Sequence, residues 1–455
     1  MNYLKPLVVV LMLWVALPTQ AQHLSDDVKM LIDKAQNKNH QLKINALQAQ
    51  QNNTDSKIAI STFIPKVTVN AGYTRLNDDV VLDDNMTQLL IGTQKLLIKE
   101  ALGIPFNMAL PDNVPVQGIP PLLEKDIFKA NVDVDWVLFS GLKVNKTLKA
   151  IKHKNLALEH QNDIDKEKLI LKVINAYEQL ALIKASQKVI TSTDNYLQEQ
   201  ARFVSKAVSN GLALPVDEQK VTLALNQLSY KRLELNNQEA LILSLLQQLT
   251  GAEPQTLIAL DPKPEPMAIA TDLASQPRHE LLALQEARIA KSYQKKAEQT
   301  YYIPQLAIKG HYEFIDEDLS LFDPQWYIGA GLKWTLFDRN TGRQKANRLA
   351  LDMAQYDEKY SEAEELIALS NIKAELSYKT AQRQLEIAEA NIALTEDTYN
   401  LVNKQYKNDL TTMTEVLEAL KDLEQARLDY DKAVYNQRKA GIEWLYAKGL
   451  LLNEL

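Results

Sequence analysis

"TYYIPQLAIKGHY", residues 300–312, has an earlier counterpart in "STFIPKVTVNAGY", residues 61–73. Each sets Ile-Pro after an aromatic residue, alternates apolar with polar residues, and ends on Tyr. Alternation with period two predicts a strand with two chemically different faces. The copies stand 300 − 61 = 239 residues apart. A second pair, "VDWVLFSG" from Val134 and "LKWTLFDR" from Leu332, is offset by 332 − 134 = 198. The same 198 separates "NGLALPVDE" at Asn210 from "NDLTTMTEV" at Asn408, and Gly251 from Gly449. A constant offset requires helices of matching length. The difference, 239 − 198 = 41, places one insertion between the first two strands. The chain reads as helix, strand, strand, long helix, tip, helix, twice over.

In "FKANVDVDWVLF" one face carries Phe128, Ala130, Val132, Val134, Trp136 and Leu138; the other carries Lys129, Asn131, Asp133 and Asp135. The fourth strand sets Trp326, Ile328, Ala330, Leu332, Trp334 and Leu336 against Tyr327, Gly329, Gly331, Lys333 and Thr335. Strands of about 10 residues with such faces suit a membrane barrel. A soluble sheet packed on a helix has the same pattern. Four strands cannot close a membrane barrel, for which about 8 is the smallest number. If this is a barrel, copies must join.

Leu142 to Val208 and Arg343 to Lys407 contain neither proline nor glycine. Some 65 helical residues rise roughly 100 Å. In the second copy Ala381, Leu385, Ala388, Ile392, Thr395, Tyr399, Val402 and Tyr406 follow steps of four and three, a coiled-coil seam. Shorter helices are expected around 26–60, 216–250, 279–299 and 413–448.

Composition narrows the function. The 455 residues carry a formal charge of −7, which does not suggest nucleic-acid binding. The absence of cysteine excludes disulfides, thiolate metal sites and a lipidated N-terminal cysteine. "MNYLK", the apolar "PLVVVLMLWVAL" and "PTQA" read as a secretory signal cleaved after Ala21, with an N-terminal anchor as the alternative. The remaining sequence has no run apolar enough for a membrane helix, so an exported chain would cross a membrane by strands. The six histidines show no metal spacing, since His153 and His160 would stand two helical turns apart. No nucleophile elbow or nucleotide loop is present, and neither catalysis nor a cofactor is expected.

The expected organisation is a signal at 1–21, a first repeat at 22–251, a linker at 252–277 and a second repeat at 278–455. Strands are expected at about 61–76, 126–139, 302–315 and 325–337, with the insertion at about 77–125.

The duplicated strand pair, the "WxLF" junctions at Trp136 and Trp334, and the tips "NGLALPVDEQ" and "NDLTTMTEVLEA" resemble the TolC-type outer-membrane efflux proteins, or outer membrane factors, over about residues 24–450. The resemblance implies a mainly α protomer with a small β part. Three protomers would build a 12-stranded outer-membrane β-barrel, continued by a periplasmic α-helical coiled-coil barrel. It implies a passive exit duct for a tripartite efflux or type I secretion system. Its partners would be outer-membrane lipid, a periplasmic adaptor (membrane fusion) protein and an inner-membrane pump of RND or ABC type.

It also assigns roles to residues. Glu415 and Glu418 match the acidic pair that rings the aperture, although spacing alone favours a solvated helix face beside Lys421. Tyr406 and Asp217 match an aperture lock, while Thr411 stands where an arginine is often found. The tip turns Gly211, Leu212, Ala213, Leu214 and Pro215, and Leu410, Thr411, Thr412, Met413 and Thr414, would meet the adaptor. Trp136, Trp326 and Trp334 would lie in the membrane-interface girdles. The rival reading is a periplasmic coiled-coil scaffold or adaptor without a pore.

Overall fold

A computed structural model describes residues 25–269, 274–316 and 324–451; the expected signal at 1–21 lies outside them. The protein is mainly helical with one small sheet. In chain order the elements are α1 (Asp26–Lys38), α2 (His40–Ser61), β1 (Lys66–Arg75), α3 (Asp84–Ala101), β2 (Asp126–Phe139), α4 (Lys143–Ser209), α5 (Pro215–Thr250) and α6 (Pro254–Ile258). There follow α7 (His279–Glu298), β3 (Gln305–Asp316), β4 (Trp326–Lys333), α8 (Thr341–Tyr406) and α9 (Met413–Ala447). Two compact units are distinguished. Of the described residues, one holds those up to Gln50, those within 155–287 and those from Gln355 onward; the other holds those within 51–154 and 288–354.

The first unit has a closed apolar core. Leu31, Ile170, Ile174, Leu180, Leu246 and Ile442 are fully buried, from α1, α4, α5 and α9. The heptad positions on α8 from Ala381 to Tyr406 are all buried or half-buried. Arg438 grips the buried Glu178 with two bonds of 2.6 Å and reaches the Glu265 carbonyl at 2.8 Å. The linker is tied down: the Tyr378 hydroxyl donates to the Met267 carbonyl at 3.0 Å, and the Met267 amide donates to the Gln437 side chain at 2.9 Å.

The expected single helix over 26–60 divides at Asn39. Its ψ of 126° leaves the helical region, and its side-chain oxygen caps the Leu42 amide at 3.1 Å. Asparagine favours such local bonding over helix interior.

In the second unit the sheet has order β1-β2-β3-β4, antiparallel throughout. β1 begins at Lys66 rather than near 61. The Phe63 and Ile64 amides turn back to Ile60 and Ser61, and Pro65 has no amide to donate. β3 begins at Gln305 because a 3-10 turn, Gln299–Tyr302, and Pro304 precede it. Opposed pairs such as Val69 with Val132 and Tyr312 with Trp326 share one face. Exposed apolar residues there include Val67, Val69, Phe128, Tyr312, Ile328 and Leu332. The other face is polar. Asn70 donates to Asn131 and Asp133, Asp133 pairs with His311 at 2.8 Å, and Lys309 stands 3.5 Å from Asp135. Within the insertion, α3 is capped by Asp83, whose carboxylate accepts from the Met86 amide.

Left-handed backbone recurs with the sequence offset. Gly141 and Arg339, Leu142 and Asn340, Gly211 and Asp409, and Gly251 and Gly449 all have positive φ, each pair 198 apart. At Gly141 a Cβ would come within 2.9 Å of the Ile303 carbonyl oxygen, so glycine is required there for space as well.

Candidate functional site

The two helix tips share one backbone device. At the first, the Leu212 amide donates to the Ala207 carbonyl and the Gly211 amide to Val208; at the second, Leu410 donates to Gln405 and Asp409 to Tyr406. This is the Schellman closure, which needs a left-handed residue. Gly211 supplies it at φ 72° and Asp409 at φ 61°. After the turn, Pro215 opens α5, where its missing amide costs nothing. Thr412 opens α9 by accepting from the Glu415 amide. "TMTE", 412–415, has the Thr-x-x-Glu pattern of a helix start, a signal that could have located this cap from sequence.

The turns themselves are bare. Leu212, Leu214 and Leu410 are between 66% and 78% exposed. Met413 differs: it is fully buried with Val416, Val221 and Val204 in the core beneath the tips. Glu415 and Glu418 are both exposed on α9.

Tyr406 is half-buried and packs edge-on against Phe203, ring centroids 5.8 Å apart. Burial raises its pKa, and the charges of Asp217 and Asp409 raise it further. No hydrogen bond joins Tyr406 and Asp217 among the described residues. Asp217 instead stands 3.6 Å from Lys220 Nζ, which donates to the Thr414 hydroxyl at 2.8 Å. Lys220 therefore links the two tips, a role that sequence reasoning missed. Lys231 repeats the link higher up, 2.6 Å from the buried Glu424. A groove of about 730 Å³ runs beside these contacts, lined by Thr193, Leu223, Leu228, Tyr230, Thr414 and Glu418.

In the sheet unit, Trp136 Nε1 donates to the Phe63 carbonyl at 3.0 Å and Trp334 Nε1 to the Tyr302 carbonyl at 2.9 Å. Each indole pins the end of one strand to the chain entering its partner. Trp326 is more exposed than Trp334 or Trp136. Elsewhere the fold brings together His160 and His279, which are 119 residues apart.

Residues 270–443 match the family described as outer membrane efflux protein. The chain resembles the outer membrane efflux proteins. Solved structures share its fold. The CmeC outer membrane channel of Campylobacter jejuni has TM-score 0.70 and 15% identity, covering 94% of this chain and 86% of that one. A membrane protein from Pseudomonas aeruginosa gives 0.72 and 14%, covering 94% of each. The outer membrane protein VceC of Vibrio cholerae gives 0.68 and 15%, covering 93% and 96%. No curated protein sequence matches the chain. The stretch matched to the efflux proteins contains β3, β4, Tyr406 and the second tip with Glu415 and Glu418; Asp217, Gly211 and Trp136 lie outside it.

Proposed function

We propose that the protein is the outer-membrane exit duct of a tripartite efflux or type I secretion system, with its helices in the periplasm. Three protomers lend four strands each to one 12-stranded barrel. The duct is passive; an inner-membrane pump supplies the energy, and a periplasmic adaptor docks at the turns Gly211–Pro215 and Leu410–Thr414, which bare Leu212, Leu214 and Leu410. The observation that carries this reading is the open sheet. Among the described residues β1 and β4 each lack a partner on one side, while one face exposes aliphatic and aromatic residues and the other is polar. An open edge and a bare apolar face are both unfavourable in water. Joining copies in a bilayer relieves both. A second apolar seam on α8, with Ile387, Leu394 and Leu401 seven apart and more than half exposed, supports coverage by a neighbouring copy.

At the tips, Glu415 and Glu418 would converge as six carboxylates around the axis and favour cations. Tyr406, Asp217 and Lys220 would hold the tips together until an adaptor docks. Trp136, Trp326 and Trp334 would take the interface positions.

Purified protein in detergent should run as a heat-labile trimer and conduct in planar bilayers. Glu415→Ala with Glu418→Ala should reduce cation selectivity and divalent block. A monomeric, non-conducting, water-soluble rod would replace the duct with a scaffold. Conductance with unaltered selectivity would keep the duct but move the constriction elsewhere.

A further inference from the structure

We propose that His160, Asp163 and His279 form a binding site for a divalent transition-metal ion of the zinc class within one protomer. His160 and Asp163 are three apart on α4 and so share a helix face. His279 is the first residue of α7. The two Nδ1 atoms are 3.2 Å apart, and Asp163 Oδ2 is 3.8 Å from His279 Nδ1. One ligand atom from each residue lies within 4.8 Å of the others. Nitrogen ligands at about 2.0–2.1 Å from a tetrahedral ion stand roughly 3.3 Å from each other. The imidazole pair is therefore already at ligand spacing, with a carboxylate oxygen of Asp163 within 4.8 Å of both nitrogens.

The other polar contacts favour an ion over a bare hydrogen bond between rings. Lys166 Nζ holds Asp163 Oδ1 at 3.3 Å, which leaves Oδ2 toward His279. Glu167, the next turn along the same face, is 1% exposed, and its Oε2 has no hydrogen-bond partner. Burial disfavours its ionised form; Arg278 favours that form, and the nearby charges of Glu280 and Asp163 oppose it. A cation beside Asp163 would offset the charge of that carboxylate. The side chains of His279 and Asp163 are 27% and 32% exposed, so an ion has a path from solvent. Two imidazoles with one carboxylate suit Zn2+, Cu2+ or Ni2+ better than Mg2+ or Ca2+. Three protein ligands leave a fourth position for water.

The site lies within a single chain, so it stands or fails independently of the trimer and duct. Full-length mature protein in detergent, stripped with chelator, would be titrated with Zn2+ by calorimetry. One ion per protomer is expected. His160→Ala and His279→Ala should each weaken it by more than ~100-fold, beyond the 10–100-fold typical of outer-shell changes. Glu415→Ala with Glu418→Ala should leave this ion bound, which separates it from the acidic ring. X-ray absorption on the zinc-loaded wild type needs no variant and should show two imidazole nitrogens at about 2.0 Å. Zinc binding no tighter than ~1 mM, unchanged affinity in folded histidine variants, or a zinc shell without imidazole would each overturn the proposal.

Discussion

Leu180 and Ile328 are both large aliphatic residues in regular secondary structure, yet Leu180 on α4 is fully buried while Ile328 on β4 is 76% exposed. The contrast extends across their units. The helical unit buries Leu31, Ile170, Ile174 and Leu246, and pairs the buried Glu178 with Arg438. The sheet unit leaves all eight residues of β4 exposed and, among the described residues, both sheet edges open. Burying a side chain of this size contributes about 1.5–3 kcal/mol. The helical unit collects that stabilisation within the chain. Among the described residues the apolar side chains of β4 collect little of it.

The sharpest way to break this contrast is to damage the helical unit alone. Glu178→Ala strands the Arg438 guanidinium beside a buried void. Breaking a buried pair on one side costs about 3–5 kcal/mol. The helical signal in circular dichroism should melt at lower temperature in detergent and in lipid alike. A loss seen only in lipid would show that this core also depends on its surroundings.

Next in size is a charge on the apolar face of the sheet. If that face meets lipid, Ile328→Lys should cost about 2–4 kcal/mol near the bilayer midplane. The proposed trimer should then dissociate at lower temperature, and insertion into vesicles should fall. Tyr327→Lys, on the polar face, is the control and should change little. Equal effects from both would mean that the two faces see the same medium.

The third test separates the units by pH. Glu167 is buried on α4, and desolvation raises its pKa to about 7, with Asp163 and Glu280 adding to the rise and Arg278 opposing it. The folded state therefore holds this proton more tightly than the unfolded chain does. The resulting stability is full below the unfolded value, near 4.5, and is lost as pH rises through about 7. At 1.36 kcal/mol per unit, the loss approaches about 3 kcal/mol by pH 8. Glu167→Gln cannot ionise, so in chelator its advantage over wild type should grow from near zero at pH 4 to about that value. A constant difference across the range would mean that Glu167 is already ionised or already neutral throughout. The sheet's stability should be indifferent to this change.

What could be read from the sequence follows from which interactions are local. Strand alternation from Trp326 to Leu332 and the proline-free helical runs are local, and they disclose a mainly helical chain with a small sheet. The break at Asn39 hid inside an otherwise helical run, because one side-chain bond to Leu42 decides it. At the tips, the Gly211 turn was legible because glycine is cheap in left-handed backbone. The Lys220 link to Thr414 was not, since it spans 194 residues. The same holds for His160 and His279. Their proximity depends on how α4 packs against the start of α7, and no spacing within either segment encodes that.

The smallest effect concerns the two indole pins, which lie in the sheet unit but do not need a second copy. Trp136 and Trp334 make the same bond, at 3.0 and 2.9 Å, to carbonyls at matching places in the two repeats. They differ in cover: Trp136 is 39% exposed and Trp334 58%. A net hydrogen bond contributes about 0.5–1.5 kcal/mol, whereas packing scales with buried area. Replacing each with phenylalanine removes the donor and keeps most of the ring. If the bond dominates, both variants should lose about 1 kcal/mol by urea unfolding from vesicles, and the double variant should lose the sum. If packing dominates, Trp136→Phe should lose clearly more, because it has more cover to give up. Equal losses would show that the strand ends are fixed within the protomer by these two bonds.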